Sequence, residues 1–102
     1  MTEADIQRSI MLALSQAGCL IWRNNSGILK NPAGIPIKFG IGNPGGSDLI
    51  GLYRGRFIAI EVKTPKGRAT PEQIRFIEAV KKHGGIAGIA RSVEDALSLI
   101  NQ

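Results

Sequence analysis

DLIGLYRGRFIAIEVK, residues 48–63, is the stretch that decides the fold. Two apolar runs, Leu49-Ile50-Gly51-Leu52 and Phe57-Ile58-Ala59-Ile60, flank the tetrad Tyr53-Arg54-Gly55-Arg56. Short apolar runs on either side of a glycine-bearing turn predict a β-hairpin, here with Arg54-Gly55 at its tip. That tip pairs Tyr53 with Arg56, Leu52 with Phe57 and Leu49 with Ile60, so Asp48 falls opposite Glu61. Directly opposed side chains share a sheet face with their Cβ atoms about 5 Å apart. Like charges at that distance repel, and a divalent cation between them removes the penalty. Lys63 lies two residues beyond Glu61 and therefore points to the same face.

Two carboxylates and an ammonium at one end of a hairpin suit metal-assisted phosphodiester hydrolysis. Mg²⁺ takes hard oxygen ligands, a few from protein and the rest from water. It acidifies a bound water and stabilises charge on phosphate. A neighbouring lysine orients that water or neutralises the developing charge. The carbonyl of Val62, at the same strand end, is a further candidate oxygen. The metal set read from the residues is thus Asp48, Glu61 and Val62, with Lys63 as the catalytic partner.

The charge distribution points to a polyanionic partner. Residues 20–70 hold eight basic side chains and two acidic ones, the two being Asp48 and Glu61, whereas the rest of the chain is close to neutral. A basic half beside a neutral half is the footprint of nucleic-acid binding. Lys30, Lys38, Lys66 and Arg68 flank the presumed site on loops and are candidate phosphate contacts, which give affinity without sequence readout. Asn24, in the Asn24–Gly27 turn, is a candidate DNA contact or simply a turn residue. At 43% hydrophobic and 21% charged, the 102 residues read as one folded domain rather than a disordered chain. No apolar run is long enough for a membrane span, and the acidic, polar start does not read as a signal peptide. One cysteine and one histidine rule out an internal disulfide and a Cys/His zinc site.

Outward from the hairpin the pattern predicts helix, strand, hairpin, helix, strand and helix. The fold class is α/β, a small mixed sheet flanked by helices. The first helix covers residues 3–17 with Thr2 as its cap and Ile6, Ile10, Ala13, Leu14 and Ala17 recurring at helical spacing. Cys19 to Arg23 reads as a strand in which Trp22 is core, with a stacking platform as the alternative. Residues 28–47, rich in Gly and Pro, read as a loop or irregular hairpin. Thr70-Pro71-Glu72-Gln73 is a capping box that opens a helix over 71–82, with Ile74, Ile77 and Val80 inward. A strand over 86–91 and a helix from Ser92 to Ile100 complete the chain. Glu3 lies on the Ile6 side of its helix, where a carboxylate is costly unless paired or metal-bound. The alternative is a favourable place in the positive first turn of the helix. Gly40 to Gly45 matches G-x-G-x-x-G, but a strand follows it and Pro44 interrupts it, so a dinucleotide site is not expected.

Asp48 followed by Glu61-Val62-Lys63 after a short hairpin resembles the PD-(D/E)xK nuclease superfamily, with Ser47 where a proline is usual. The wider pattern resembles its VRR-NUC (virus-type replication-repair nuclease) family. That pattern is an early helical Glu3, the Asn24–Gly27 turn, Gly45 to Leu49, Ile60 to Lys63, and Gln73 opening a helix. The resemblance spans nearly the whole chain. It implies a restriction-endonuclease-like core and Mg²⁺- or Mn²⁺-dependent DNA cleavage, with Glu3 a further metal ligand and Gln73 beside the catalytic site. It also implies action on branched DNA such as Holliday junctions or flaps, as a homodimer, in the cytoplasm of a bacterium or phage-infected host. No nucleotide cofactor and no membrane are implied. Two other classes remain: a non-catalytic DNA-binding module on the same fold, and a nucleotide binder using the Gly-rich loop.

Overall fold

Thr2 opens the first helix, α1 (Glu3–Gln16), through a capping box: its hydroxyl accepts from the Asp5 amide, and the Asp5 carboxylate accepts from the Thr2 amide. The structure, a computed structural model, describes residues Met1–Gln102. Ile6, Ile10 and Leu14 recur at helical spacing and are buried, and Gly18 at φ +97° follows the helix. Strand β1 (Leu20–Arg23) comes next, then a separate hairpin of β2 (Gly27–Lys30) and β3 (Pro36–Phe39). The central hairpin is β4 (Leu49–Tyr53) and β5 (Arg56–Val62). Helix α2 (Pro71–Lys82), strand β6 (Ile86–Ala90) and helix α3 (Val93–Ile100) follow. No helix is long and apolar enough to cross a membrane.

The main sheet runs β1-β4-β5-β6, antiparallel except for the parallel pair β5/β6. Its central register is the expected one: Tyr53 opposite Arg56, Leu52 opposite Phe57 and Leu49 opposite Ile60. The tip explains why. Arg54 and Gly55 both take positive φ, +51° and +79°, the pair of left-handed residues a two-residue hairpin turn needs. Glycine removes the steric cost at the second of them.

Helices α1 and α3 bury one face of the sheet over Leu49, Ile58, Ile60, Val62, Ile86 and Ala90. Helix α2 covers the other face only over β5 and β6, where Ile77 packs with Ala59 and Ala87. Strand β5 is thus covered on both sides, and its last five residues are all buried. A strand with two buried faces loses the polar alternation of a half-exposed one. The α2 stripe differs from the expected one. Ile77 is buried and Phe76 and Val80 join it, but Ile74 stays 41% exposed because α2 stops short of the β4 side.

Residues 28–47, expected as a loop or irregular hairpin, hold a regular four-residue pairing, with Leu29 opposite Ile37 and Ile28 opposite Lys38. Asn31 shapes its tip by accepting from the amides of Ala33 and Ile35. Asn43 closes its base by donating to the carbonyls of Gly27 and Phe39. The stretch matching G-x-G-x-x-G lies in the turns between β3 and β4 and opens no helix, as the sequence indicated.

Candidate active site

The β4/β5 register carries one residue past β4, to Asp48 beside Glu61. The Asn24 amide donates to the Asp48 carbonyl at 2.8 Å, extending the β1/β4 ladder to this point. One Asp48 carboxylate oxygen accepts from the Val62 amide at 2.9 Å, which ties the aspartate to the strand that bears Glu61. The approach to Asp48 is crowded. A Cβ on Gly46 would sit 2.0 Å from the Ile41 carbonyl, so only glycine passes there.

Glu61 is 2% exposed. Its Oε2 accepts from Gln73 Nε2 at 3.1 Å and pairs with Lys63 Nζ at 3.4 Å. Gln73 serves two ends at once, because its Oε1 accepts the Thr70 amide while its Nε2 reaches Glu61. The capping box at the start of α2 therefore fixes the amide that holds the carboxylate. The other oxygen, Glu61 Oε1, is buried with no hydrogen-bond partner. Burial first, and the Asp48 charge second, push the Glu61 carboxyl up to about 8, against the opposing pull of Lys63. A buried carboxylate beside a second one, with an orphaned oxygen, is the donor set a hard cation satisfies. The residues present thus fit a divalent metal. Asp48, Glu61 and the Val62 carbonyl are the candidate ligands.

Ser47 Oγ is the other buried polar atom with no partner. An unsatisfied buried hydroxyl costs about 1–3 kcal/mol. Ser47→Ala is therefore expected to leave the fold as stable as the wild type or more so, with the melting temperature unchanged or raised by a few degrees in a thermal scan.

Glu3 does not join the pair. It is exposed in the first turn of α1, before the buried stripe begins at Ile6, and no group of three Asp, Glu, His or Cys side chains forms anywhere. The inward orientation expected for it is corrected: the helical spacing gives its direction, but the core ends short of it. Asn24 has the turn role: its side-chain amide donates to the carbonyls of Ile41 and Ser47 and accepts from the Ile41 amide, so it ties the Gly-rich turns to the approach to Asp48. Lys30 and Lys38 are exposed on the β2/β3 hairpin and share one face of it. Lys66 and Arg68 are exposed on the loop between Lys63 and α2.

Arg91 escaped the sequence reading. Its Nη1 donates to the Thr64 carbonyl at 2.7 Å and the Gly67 carbonyl at 2.6 Å, bracing the loop that carries Lys66 and follows Lys63. Its partners lie 24 and 27 residues away, and no local signal marks them. Two concavities of about 450 and 480 Å³ lie elsewhere, one between the β4/β5 tip and the end of α2, the other between Met1, Pro65 and Glu94. The carboxylates instead sit at the carboxyl end of β5.

A family model described as the VRR-NUC domain matches residues 2–94. Among solved structures, one described as a VRR-NUC domain is 24% identical and superposes with a TM-score of 0.65, covering 98% of this chain and 95% of its own. Another, a VRR-NUC domain protein, is also 24% identical with a TM-score of 0.60, covering 100% of this chain and 87% of its own. These likenesses show the shared fold. No curated protein matches the chain.

Proposed function

The chain belongs to the VRR-NUC domain family, a family of nuclease fold, and from that premise we propose that it is a metal-dependent DNA endonuclease. Its substrate is branched DNA, such as Holliday junctions or flaps, met in replication and repair. The observation that carries the reading is the buried Glu61 beside the half-buried Asp48, with Lys63 alongside and Glu61 Oε1 left without a partner. That arrangement costs stability unless it serves a cation. Mg²⁺ or Mn²⁺, when bound, would acidify a water and offset charge on the phosphate.

The chain's own residues do the rest. Asp48 is held by the Val62 amide, so its free lone pairs are fixed in direction. Gln73 and Lys63 hold Glu61 Oε2 and leave Oε1 for a ligand. Lys63, paired with Glu61 Oε2 at 3.4 Å, holds an ammonium beside the carboxylates, where it would orient an attacking water or offset charge on the phosphate. Lys66 and Arg68, exposed beside the site, supply phosphate contacts, and Lys30 and Lys38 extend them along the hairpin.

A homodimer completes the reading. One chain carries one carboxylate pair, and two related copies match a two-fold junction. The β2/β3 hairpin supports this, since Leu29, Ile37 and Phe39 share one exposed face of it. A second copy would cover that face.

The test is cleavage of end-labelled four-way junction, flap and linear duplex with Mg²⁺, Mn²⁺ or EDTA. Cleavage with either metal, none in EDTA and the branched substrates cut first is the expected result. Tight binding without cutting under both metals would replace the enzyme with a binding module. Sedimentation of the junction complex with a single chain would remove the dimer.

A further inference from the structure

Helix α2 leaves the β1 side of one sheet face uncovered, and the Gly-rich turns, packed against Phe76 and bonded to Asn24, border the exposed part. The side chains of Trp22 and Ile50 are paired across β1 and β4, as are those of Leu20 and Leu52. Trp22 is 51% exposed, Leu20 58% and Leu52 43%, so the indole expected in the core lies on the surface instead. By strand alternation Asp48, Ile50 and Leu52 project to one face, and Trp22 projects with them. Glu61 projects to that face too, sharing the parity of Ala59 on β5, which packs under α2. The bare apolar surface and the carboxylate pair are therefore neighbours on one side of the sheet. Trp22 is one strand across and two residues along from Asp48. Strand spacings put the two positions about 8 Å apart.

We propose that Trp22 is a stacking platform for an unpaired nucleobase next to the phosphate held at Asp48 and Glu61. This deepens the nuclease reading and rests on it. A strand whose phosphate sits at the carboxylates has its neighbouring nucleotide within reach of the indole. A base inside intact duplex is stacked on its neighbours and has no free face to offer. A base in a flap or a junction opening has one, and an exposed aromatic ring is the group that takes it, whatever the base. Leu20 and Leu52 continue the apolar floor beyond Trp22 and suit the next sugar or base. The occupant is thus a single-stranded nucleotide and not a second copy of the chain, for which the β2/β3 hairpin offers a separate apolar face. Trp22 in this role sets the preference for open over fully paired DNA.

Trp22 is the only tryptophan, so emission excited where the single tyrosine, Tyr53, does not absorb reports this position alone. The experiment titrates the full chain in EDTA with a duplex carrying a single-stranded flap and, separately, with a blunt duplex of equal length. Saturable quenching by the flapped duplex and little by the blunt one is the expected result. Trp22→Ala is expected to weaken flap binding at least about fivefold, so that the preference for flap over blunt duplex collapses. Trp22→Phe, which keeps a ring, is expected to retain most of it. Cleavage of the flap in Mn²⁺ by the wild type is measured alongside and separates the two readings. Quenching without cleavage would leave the platform standing and remove the nuclease. Cleavage with no change in Trp22 emission, or with flap preference intact in Trp22→Ala, would overturn the platform. Emission that shifts with protein concentration alone would assign the face to a second copy and overturn it equally.

Discussion

Glu61→Gln is expected to lower metal-dependent cleavage by about a thousandfold or more, because a cation held in place supplies several kcal/mol to the transition state. The substitution is nearly isosteric. The glutamine carbonyl can still accept from Gln73, and Lys63 keeps its place beside it. What disappears is the negative charge that, with Asp48, would hold the cation. The fold should therefore survive while activity does not, and circular dichroism and a thermal scan beside the cleavage assay separate the two. A variant that folds and cuts at the wild-type rate would show that the carboxylate pair is not the reaction centre.

The second large effect is on the stability of the metal-free protein. In the folded chain Glu61 holds its proton up to about pH 8, against 4.5 for an ordinary glutamate, chiefly because it is buried and secondly because Asp48 is charged beside it. Between those values the native state keeps a proton that the unfolded chain has lost. Stability therefore falls as pH rises through that window, with a slope of at most about 1.4 kcal/mol per pH unit from this group. Below the window both states are protonated and the penalty vanishes. The melting temperature without metal is expected to drop between pH 5 and pH 8, and Glu61→Gln is expected to flatten the drop. Adding Mn²⁺ at pH 8 is expected to restore stability, by about 2.7 kcal/mol at a hundredfold excess over the dissociation constant. A melting temperature that stays level or rises across the window, with no response to metal, would contradict the account of the site.

Much of this was legible in the chain because a two-residue turn leaves little choice of register. Arg54-Gly55 sets the pairing, and the pairing brings Asp48 to Glu61 and puts Lys63 on the same face. Thr70 and Gln73 were legible for the same kind of reason, since a capping box is local chemistry four residues long. What escaped depends on distance or on coverage. Asn24 finds its side-chain partners 17 and 23 residues along the chain, and Arg91 finds its own further still. Glu3 shows that helical spacing gives a direction but not where the core stops. Trp22 and Ile74 were expected inside because they are apolar, yet burial needs a partner layer, and α2 spans only two of the four strands. The β2/β3 hairpin has no buried face, so no alternation of polar and apolar residues marks it.

The central claim is that Asp48 and Glu61 form one seat for a divalent cation. Calorimetric titration of the metal-free chain with Mn²⁺ at pH 7, in two buffers of different ionisation enthalpy, tests it most directly. The account requires saturable binding with release of close to one proton, because Glu61 must give up its proton to become a ligand, and it requires both to be lost in Glu61→Gln. Binding that persists unchanged in Glu61→Gln, or no saturable binding by the wild type, would contradict it.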